Sequence, residues 1–388
     1  MAQKNVELFL SLHMRWLKYL GIWMTENPNR FYDIYQIFTL FLQYSILVFI
    51  LIYLGQVWGD LEAVSMGLYI LFTQASTCLK MASVVVNKKG LADLLEFMNC
   101  DTFVAESDDQ REILSTQYRK MRKLFFFLLT IVTVNLIEWL PIPLITQGPR
   151  MYPFAIWMPG NIDKSPDYEL GYLYQIGFAF MGTYSFVTTD AIAITLISFG
   201  CAQIDIVKDK IGKIQRVFSS RVTREDRNDI IKENNILLNQ CINQHQTIIR
   251  FIASVEKFVN ASIFFQMSGS VGIVCLIAFR LSVEPPNTIQ FYSSVNYMLS
   301  MLAQLYFYCW IGNELTSRSQ ELRDKLYQCP WYDQDVHFRK KLCFAMECMK
   351  KPIVFKAGHY ITLSRPTFIM ILRCSYSYFA VLNQANNK

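Results

Sequence analysis

Seven long apolar runs restrict the fold of this chain more than any other feature of its sequence. A helix needs about 20 consecutive, mostly apolar residues to cross the hydrocarbon core of a bilayer. The composition agrees, since 53% of the 388 residues are hydrophobic and only 18% are charged, whereas soluble domains carry about 25% charged residues. We therefore predict an all-α integral membrane protein with seven transmembrane helices. The runs lie near 34–58, 63–86, 124–145, 172–204, 258–280, 289–312 and 352–384.

The distribution of Lys and Arg predicts the orientation of the helices in the membrane. Basic connecting segments stay in the cytoplasm. There are 29 Lys and Arg residues in segments 1–33, 87–123, 205–257 and 313–351, whereas the segments that alternate with them carry four. We therefore expect a cytoplasmic N-terminus and an extracellular C-terminus. These cytoplasmic residues also explain the net charge of +6, so the charge indicates no nucleic-acid partner.

Helical patterns continue outside the apolar runs. Segment 1–33 contains an amphipathic stretch that we expect to lie at the membrane surface. In 205–257 apolar residues recur at helical spacing, which predicts that the fourth and fifth spans extend into the cytoplasm. For these extensions, packing within the chain and contact between subunits both remain open. The predicted organisation is an N-terminal amphipathic segment 1–33, a six-span bundle 34–312, cytoplasmic anchor helices 313–351, and a seventh span with its tail 352–388.

The sequence contains no recognisable catalytic or metal-binding pattern. Its four histidines have no metal-ligand spacing, and it has no glycine-rich phosphate loop, nucleophile elbow or paired carboxylates. We therefore predict that the protein is not an enzyme and needs no cofactor.

Three ionisable residues lie within the apolar runs, where charged side chains are costly and are functional candidates. Lys80 lies near the inner end of the second span, and we expect its long stem to carry the ammonium group to the membrane surface. Glu138, near the outer end of the third span, either faces an aqueous vestibule or reaches the headgroups. Asp190, in the fourth span, either bonds within a helix bundle or marks a water-filled path.

The last apolar run is unusually polar for a membrane span. Ser364 and Pro366 are typical of a helix start, so we predict the last helix over 364–384. Its small and polar stripe permits two interpretations: a pore lining with a hydrophobic gate near the outer mouth, or a helix–helix interface. At about 100° per residue, the stripe consists of Met370, Cys374, Ser377, Val381 and Gln384.

The C-terminal part of the chain resembles a known family. The stretches "YCWIGNEL" (308–315) and "KAGHYITLSRPTFIMILRCSYSYFAVLNQ" (356–384) are similar to the C-terminal signature of insect odorant receptors. In that family an aromatic–Cys–x–x–Gly–Asn/Asp–x–Leu stretch closes the sixth span. A Leu-Ser-x-x-Thr-Phe…Ile-Leu-Arg-x-Ser-Tyr-Ser-Tyr-Phe run forms the seventh. The pair Arg365–Pro366 departs from the pair that is more usual at these positions.

The resemblance implies an odorant-gated, non-selective cation channel in the plasma membrane of olfactory sensory neurons. Such chains are odour-specific subunits of a heterotetramer with the olfactory co-receptor, and the seventh span of each subunit lines the pore. Val381 matches the hydrophobic gate position, with Gln384 and Ala385 after it and Cys374 and Ser377 on the same pore-facing stripe. The small side chain of Ala385 fits a subunit that relies on its partners to close the pore.

The resemblance also implies a ligand pocket in the outer halves of the second, third, fourth and sixth spans. We expect a mostly apolar cavity with a few hydroxyl and amide groups, which is typical of small-ligand sites, and a small volatile odorant as its ligand. The candidate residues are Tyr69, Phe72, Thr73, Thr133, Ile137, Trp139, Phe180, Tyr184, Val295, Asn296 and Leu299.

Three other interpretations compete with this one. A gustatory receptor of the same superfamily would have a Thr-Tyr tail followed by aliphatic residues and Gln-Phe, whereas this chain has Ser-Tyr-Ser-Tyr-Phe at 375–379. A secondary transporter would use Asp190 and Glu138 as coupling residues, but the two halves of the sequence show no internal symmetry. A G-protein-coupled receptor would need the C-terminal tail in the cytoplasm, opposite to the predicted orientation.

Overall fold

The computed structural model describes residues 5–23, 30–145, 150–217 and 224–386. These residues do not include all of the predicted segments: parts of 1–33, 146–171 and 205–257 and the end of the tail lie outside them. Within the described part the chain is almost entirely helical. Its helices are α1 Asn5–Tyr19, α2 Arg30–Gln56, α3 Leu61–Val86, α4 Lys88–Met98, α5 Asp108–Trp139, α6 Ile142–Ile145, α7 Asp167–Gly212, α8 Arg224–Val283, α9 Ile289–Gln328, α10 Val336–Cys348 and α11 Arg365–Asn386, with 3-10 turns at Asp101–Phe103 and Trp331–Asp333 and two short strands, β1 Lys356–Ala357 and β2 Ile361–Thr362.

The seven predicted spans correspond to seven long helices: α2, α3, α5, α7, α8, α9 and α11. Among the described residues, α2, α3, α5 with α6, α7 and α8 are long and apolar enough to cross a membrane. The helices α9 and α11 contain the two more polar runs. The run 352–384 becomes helical only at Arg365, one residue after Ser364, whose hydroxyl accepts a hydrogen bond from the backbone N–H of Thr367.

Helix α7 is the centre of the bundle and packs against α1, α2, α3, α5, α8 and α9. Its side chains are buried on every face from Tyr184 to Ile204, as expected for a helix enclosed by other helices. Buried amides tie α2 to α7 and α3 to α2. The Nε2 of Gln43 in α2 donates to the carbonyl of Phe178 at 3.0 Å, and the Nε2 of Gln74 in α3 donates to the carbonyl of Gln43 at 2.8 Å.

The extensions of α7, α8 and α9 form a helical cluster beyond the predicted spans. Cys241, Ile248, Ile252 and Val255 are fully or almost fully buried, as their helical spacing predicted. The face of α10 formed by Phe338, Leu342, Ala345 and Met349 is buried as well. Of the two interpretations left open for these apolar faces, packing within the chain is therefore the one observed.

Charged residues also hold the α7 and α9 extensions together. A guanidinium nitrogen of Arg318 in α9 lies 2.5 Å from a carboxylate oxygen of Asp205 in α7. The ammonium group of Lys208 lies 2.9 Å from the carboxylate of Glu321.

The N-terminal helix α1 is amphipathic, as predicted, but its apolar face contacts protein. Phe9, Leu10 and Leu17 are buried, and α1 packs against α4, α5 and α7. The indole of Trp16 stacks on the ring of Tyr184, with the ring centroids 5.6 Å apart. The expectation that this stretch lies on the membrane surface was based on its amphipathic pattern, which does not distinguish lipid from a groove in the bundle.

A small hairpin connects α10 to α11, and the sequence had given no sign of its strands. Gly358 and His359 form the turn with φ values of 61° and 64°, and the backbone N–H of Gly358 donates to Asn260 Oδ1 at 2.6 Å. The residue that follows β2 packs directly on α9. A Cβ atom on Gly312 would overlap the backbone carbonyl of Leu363, so the glycine of the "YCWIGNEL" stretch permits this close approach.

Candidate ligand cavity

A cavity of about 140 Å³ lies between α3, α5, α7 and α9. Most of its wall is apolar and includes Leu128, Phe178, Phe186 and Met301. Phe154, from the segment before α7, closes one side. Its backbone N–H donates to Gln175 Oε1 at 3.0 Å, which fixes this irregular segment against the bundle.

One group of polar wall residues links α3 to α9. The hydroxyl of Thr73 donates to the carbonyl of Tyr69 at 2.9 Å and lies 2.7 Å from the hydroxyl of Tyr297. Because the proton of Thr73 is already donated, Tyr297 is the donor in this second bond. The hydroxyl of Tyr69 accepts from the guanidinium of Arg280 at 3.1 Å. Arg280 also pairs with Glu284, so this end of the cavity is held by a charged cluster.

A second polar group links α5 to α9. The Nδ2 of Asn135 donates to Ser300 Oγ at 2.5 Å and to the carbonyl of Ile131 at 3.0 Å. About one turn further along α5, Glu138 Oε2 accepts from the Nδ2 of Asn296 at 3.0 Å. Glu138 thus joins two helices and is half-buried, and the aqueous vestibule and the headgroups both stay predictions for it.

A buried ion pair lies at one end of the cavity, where Asp190 forms part of the wall. Lys80 Nζ lies 2.6 Å from Asp190 Oδ1, and the two side chains are only 4% and 1% exposed. The hydroxyl of Tyr308 donates to the same oxygen at 2.6 Å, and the ammonium group lies 3.4 Å from the ring centroid of Phe186. The expectation that Lys80 extends to the membrane surface was therefore wrong, because a carboxylate on α7 lies within its reach. For Asp190, bonding within the bundle is the alternative observed.

The profile of the 7tm Odorant receptor family matches residues 60–376 of this chain, which is well over half of its length. The chain belongs to this family. Odorant receptor 46a, isoform A, of Drosophila melanogaster is 24% identical over 99% of this chain and 100% of its own length. Odorant receptor Or2 of Anopheles gambiae is 23% identical over 85% of this chain and 86% of its own length. These relatives are receptors and not enzymes.

The structure of the insect olfactory receptor OR5 from Machilis hrabei, in complex with eugenol, has the same fold. It superposes with a TM-score of 0.82 at 15% identity and covers 99% of this chain and 100% of its own. Together with the family match, this similarity confirms the predicted all-α, seven-helix membrane fold.

In this odorant receptor chain, Tyr69, Thr73 and Trp139 are the predicted ligand residues that line the cavity. The others lie elsewhere. Ile137, Phe180 and Leu299 are exposed on the outside of the bundle. Thr133 and Tyr184 bond to each other at 3.0 Å, Asn296 bonds to Glu138, and Phe72 and Val295 are not part of the cavity wall.

The cavity lies between the four helices from which the candidates were drawn, but its wall uses mostly other residues of α5, α7 and α9. On α5 the wall is formed by Val132 and Asn135 instead of Thr133 and Ile137, and on α9 by Ser300 and Met301. One residue corresponds to about 100° of rotation on a helix. The missed wall residues include Gly182, Thr183, Tyr297 and Gln304. Polar residues at helical spacing, such as Tyr297, Ser300 and Gln304, were the available signal for α9.

The residues predicted to line the pore share one side of α11. Cys374, Ser377, Val381, Gln384 and Ala385 are all exposed in the single chain, and Val381 is 65% exposed. Thr367, Ile371 and Ser375 are buried and lie at four-residue spacing along α11, which packs against α8 and α9. The predicted stripe therefore lies on a face that the rest of the described chain leaves uncovered.

Proposed function

We propose that this odorant receptor chain binds a small volatile organic molecule in the cavity between α3, α5, α7 and α9. The observation that carries the proposal is the cavity itself: about 140 Å³ of mostly apolar space with a few polar groups, in a chain of the odorant receptor family. An apolar cavity of about 150 Å³ in another protein holds benzene, so the volume suits a ligand of about one ring. Burial of apolar surface, at about 25 cal/mol per Å², supplies most of the affinity.

Ligand binding opens a non-selective cation pore to which α11 contributes. The chain acts as the odour-specific subunit of a heterotetramer with the olfactory co-receptor, in the plasma membrane of olfactory sensory neurons. The exposed stripe on α11 supports this assignment, because a polar face next to lipid would be unfavourable. In the assembly this stripe faces the pore, with Val381 at its hydrophobic constriction. The complex of the similar receptor OR5 with eugenol supports a small organic ligand.

The test is whole-cell current in cells that express this chain alone, an insect olfactory co-receptor alone, or both, during application of a panel of volatiles. The proposal predicts an odour-evoked cation current when both are present, with a ligand profile that the co-receptor alone does not show. Failure of every volatile to evoke current, with the chain detected at the cell surface, would contradict it.

A matched pair of variants on α9 tests the cavity as the ligand site. Met301 lines the cavity and is buried, whereas Leu299, two residues earlier, is 59% exposed. Met301→Ala is expected to change the concentration of volatile that gives half-maximal current, because it enlarges the cavity. Leu299→Ala removes a similar apolar side chain outside the cavity and is expected to leave that concentration unchanged. Equal effects of the two variants would contradict the assignment.

A further inference from the structure

Two buried polar atoms on the cavity-lining face of α5 have no hydrogen-bond partner among the described residues. They are the Oδ1 of Asn135 and the Nε1 of Trp139, and both residues line the cavity. A buried polar group without a partner is uncommon in a folded protein and calls for an explanation, such as a bound molecule. One atom accepts a hydrogen bond and the other donates one.

The orientation of the Asn135 amide follows from its contacts. Its Nδ2 lies 3.0 Å from the backbone carbonyl of Ile131, and a carbonyl oxygen can only accept. The same nitrogen lies 2.5 Å from Ser300 Oγ, whose proton is donated to the carbonyl of Asn296 at 2.8 Å. The amide nitrogen is thus fixed on the side of these acceptors, and the Oδ1 is the atom that lacks a donor.

Four other hydroxyls of the cavity wall donate their protons to acceptors other than Asn135. Thr73 donates to the carbonyl of Tyr69, and Thr77 donates to the carbonyl of Thr73 at 2.9 Å. Tyr297 and Ser300 are likewise engaged as donors. These four protons are therefore used within the protein and are not available to the Oδ1 of Asn135.

Asn135 and Trp139 are four residues apart on one helix, so their side chains lie next to each other on the same face. A hydroxyl group is the smallest group that can donate to one of the two atoms and accept from the other. We infer that this face of α5 binds the hydroxyl group of a ligand. The receptor then prefers volatile alcohols or phenols to carbonyl compounds with the same carbon skeleton. This inference rests on the proposed function, because it assigns the ligand class of the same cavity.

The hydroxyl proton is donated to Asn135 Oδ1, and the hydroxyl oxygen accepts from Trp139 Nε1. An aldehyde or ester can make only the second bond and leaves Asn135 Oδ1 unpaired. Both atoms are covered by neighbouring groups, so the wall side chains adjust when the ligand binds. The flexible Met301, on the facing helix α9, can accommodate such a shift.

The experiment compares alcohols and aldehydes that have the same number of heavy atoms: benzyl alcohol with benzaldehyde, and hexanol with hexanal. Odour-evoked currents are recorded with the co-receptor for the wild type, Asn135→Leu and Trp139→Phe. In the wild type we expect half-maximal current at about tenfold lower concentration for the alcohol of each pair. Asn135→Leu, whose side chain has the same number of heavy atoms and the same branching, should reduce this ratio to about one while the aldehyde response persists. Trp139→Phe should weaken both members of a pair and retain the ratio.

The outcomes separate this inference from the proposed function. If alcohol and aldehyde evoke current equally, or if other volatiles evoke current and neither alcohol does, the inferred hydroxyl-binding site is wrong. The proposed function would still stand. A wild-type preference that Asn135→Leu retains, with that variant at the cell surface and responsive, would also overturn the inference. If no volatile of any class evokes current, the proposed function fails and the inference fails with it. Val134→Leu, on the exposed side of α5, is the control and should retain the wild-type ratio.

Discussion

The ion pair between Lys80 and Asp190 provides a quantitative test of how the bundle is held together. The two groups are 2.6 Å apart, with side chains 4% and 1% exposed, so both are shielded from bulk water. Removal of one partner leaves the other as an uncompensated buried charge, which costs about 3–5 kcal/mol. Asp190→Asn and Lys80→Met should each reduce the free energy of unfolding by this amount.

The double variant Lys80→Met, Asp190→Asn should be much less destabilised than either single variant. It contains no buried charge, and the amide that replaces Asp190 still accepts from the hydroxyl of Tyr308. Replacing a buried ion pair as a whole is often neutral, so we expect a cost of about 1 kcal/mol and a coupling energy of several kcal/mol between the two sites.

Thermal unfolding of the purified protein in detergent measures these differences. At about 2.1 cal/mol/K of unfolding entropy per residue, the 388 residues give about 0.8 kcal/mol/K. A loss of about 4 kcal/mol then lowers Tm by about 5 °C, and by more if part of the helical structure persists in detergent. Ser115→Ala, at a half-buried position of α5, is the control for the effect of expression and purification on Tm. Single variants as stable as the wild type, or a double variant with the summed loss of the two, would refute the reasoning.

Three further predictions concern other parts of the chain. Gly312→Ala places a methyl group against the backbone of Leu363 and should cost about 1–3 kcal/mol, measured as a lower Tm; an unchanged Tm would contradict the close approach. Burial lowers the pKa of His13 from 6.5 to about 4, so below about pH 6.5 the unfolded state binds a proton that the folded state excludes, and His13 should contribute about 3 kcal/mol to the loss of stability between pH 6.5 and pH 4. In melting curves recorded across this pH range, His13→Leu should reduce the loss of stability, whereas His337→Leu, at an exposed position, should not. The same pH dependence in His13→Leu and the wild type would contradict the role given to His13. Val381→Ala should raise the current in the absence of odour by widening the constriction, and a basal current equal to that of the wild type would count against a gate at this position.

The seven helices could be predicted because the bilayer imposes a minimum length on every apolar span. The start of α11 was predicted from Ser364 and Pro366 for a local reason, since a capping hydroxyl needs only the backbone of the following turn. The helical extensions were predicted from their spacing, because polar residues on the solvent side make the apolar stripe of a helix visible. Each of these features is encoded within a few residues of where it occurs.

The wall of the cavity could not be predicted in the same way. In a membrane helix the side that faces lipid and the side that faces protein are both apolar, so the sequence of α5 does not distinguish Ile137, which is exposed, from Val132, which lines the cavity. The partner of Lys80 is 110 positions away in the chain and becomes its neighbour only when α3 packs on α7. The groove that receives α1 likewise exists only after the bundle has formed.

The most direct test of the central claim is chemical modification of a cysteine placed in the cavity. Thr183 lines the cavity, and Thr183→Cys is to be treated with methyl methanethiosulfonate while odour-evoked current is recorded with the co-receptor. The wild type, which has ten cysteines of its own, and Leu299→Cys, outside the cavity, are treated in parallel. We predict that modification abolishes or strongly reduces the odour response of Thr183→Cys alone, and that the odorant itself slows the reaction. An odour response of modified Thr183→Cys equal to that of the treated wild type would contradict a ligand site in this cavity.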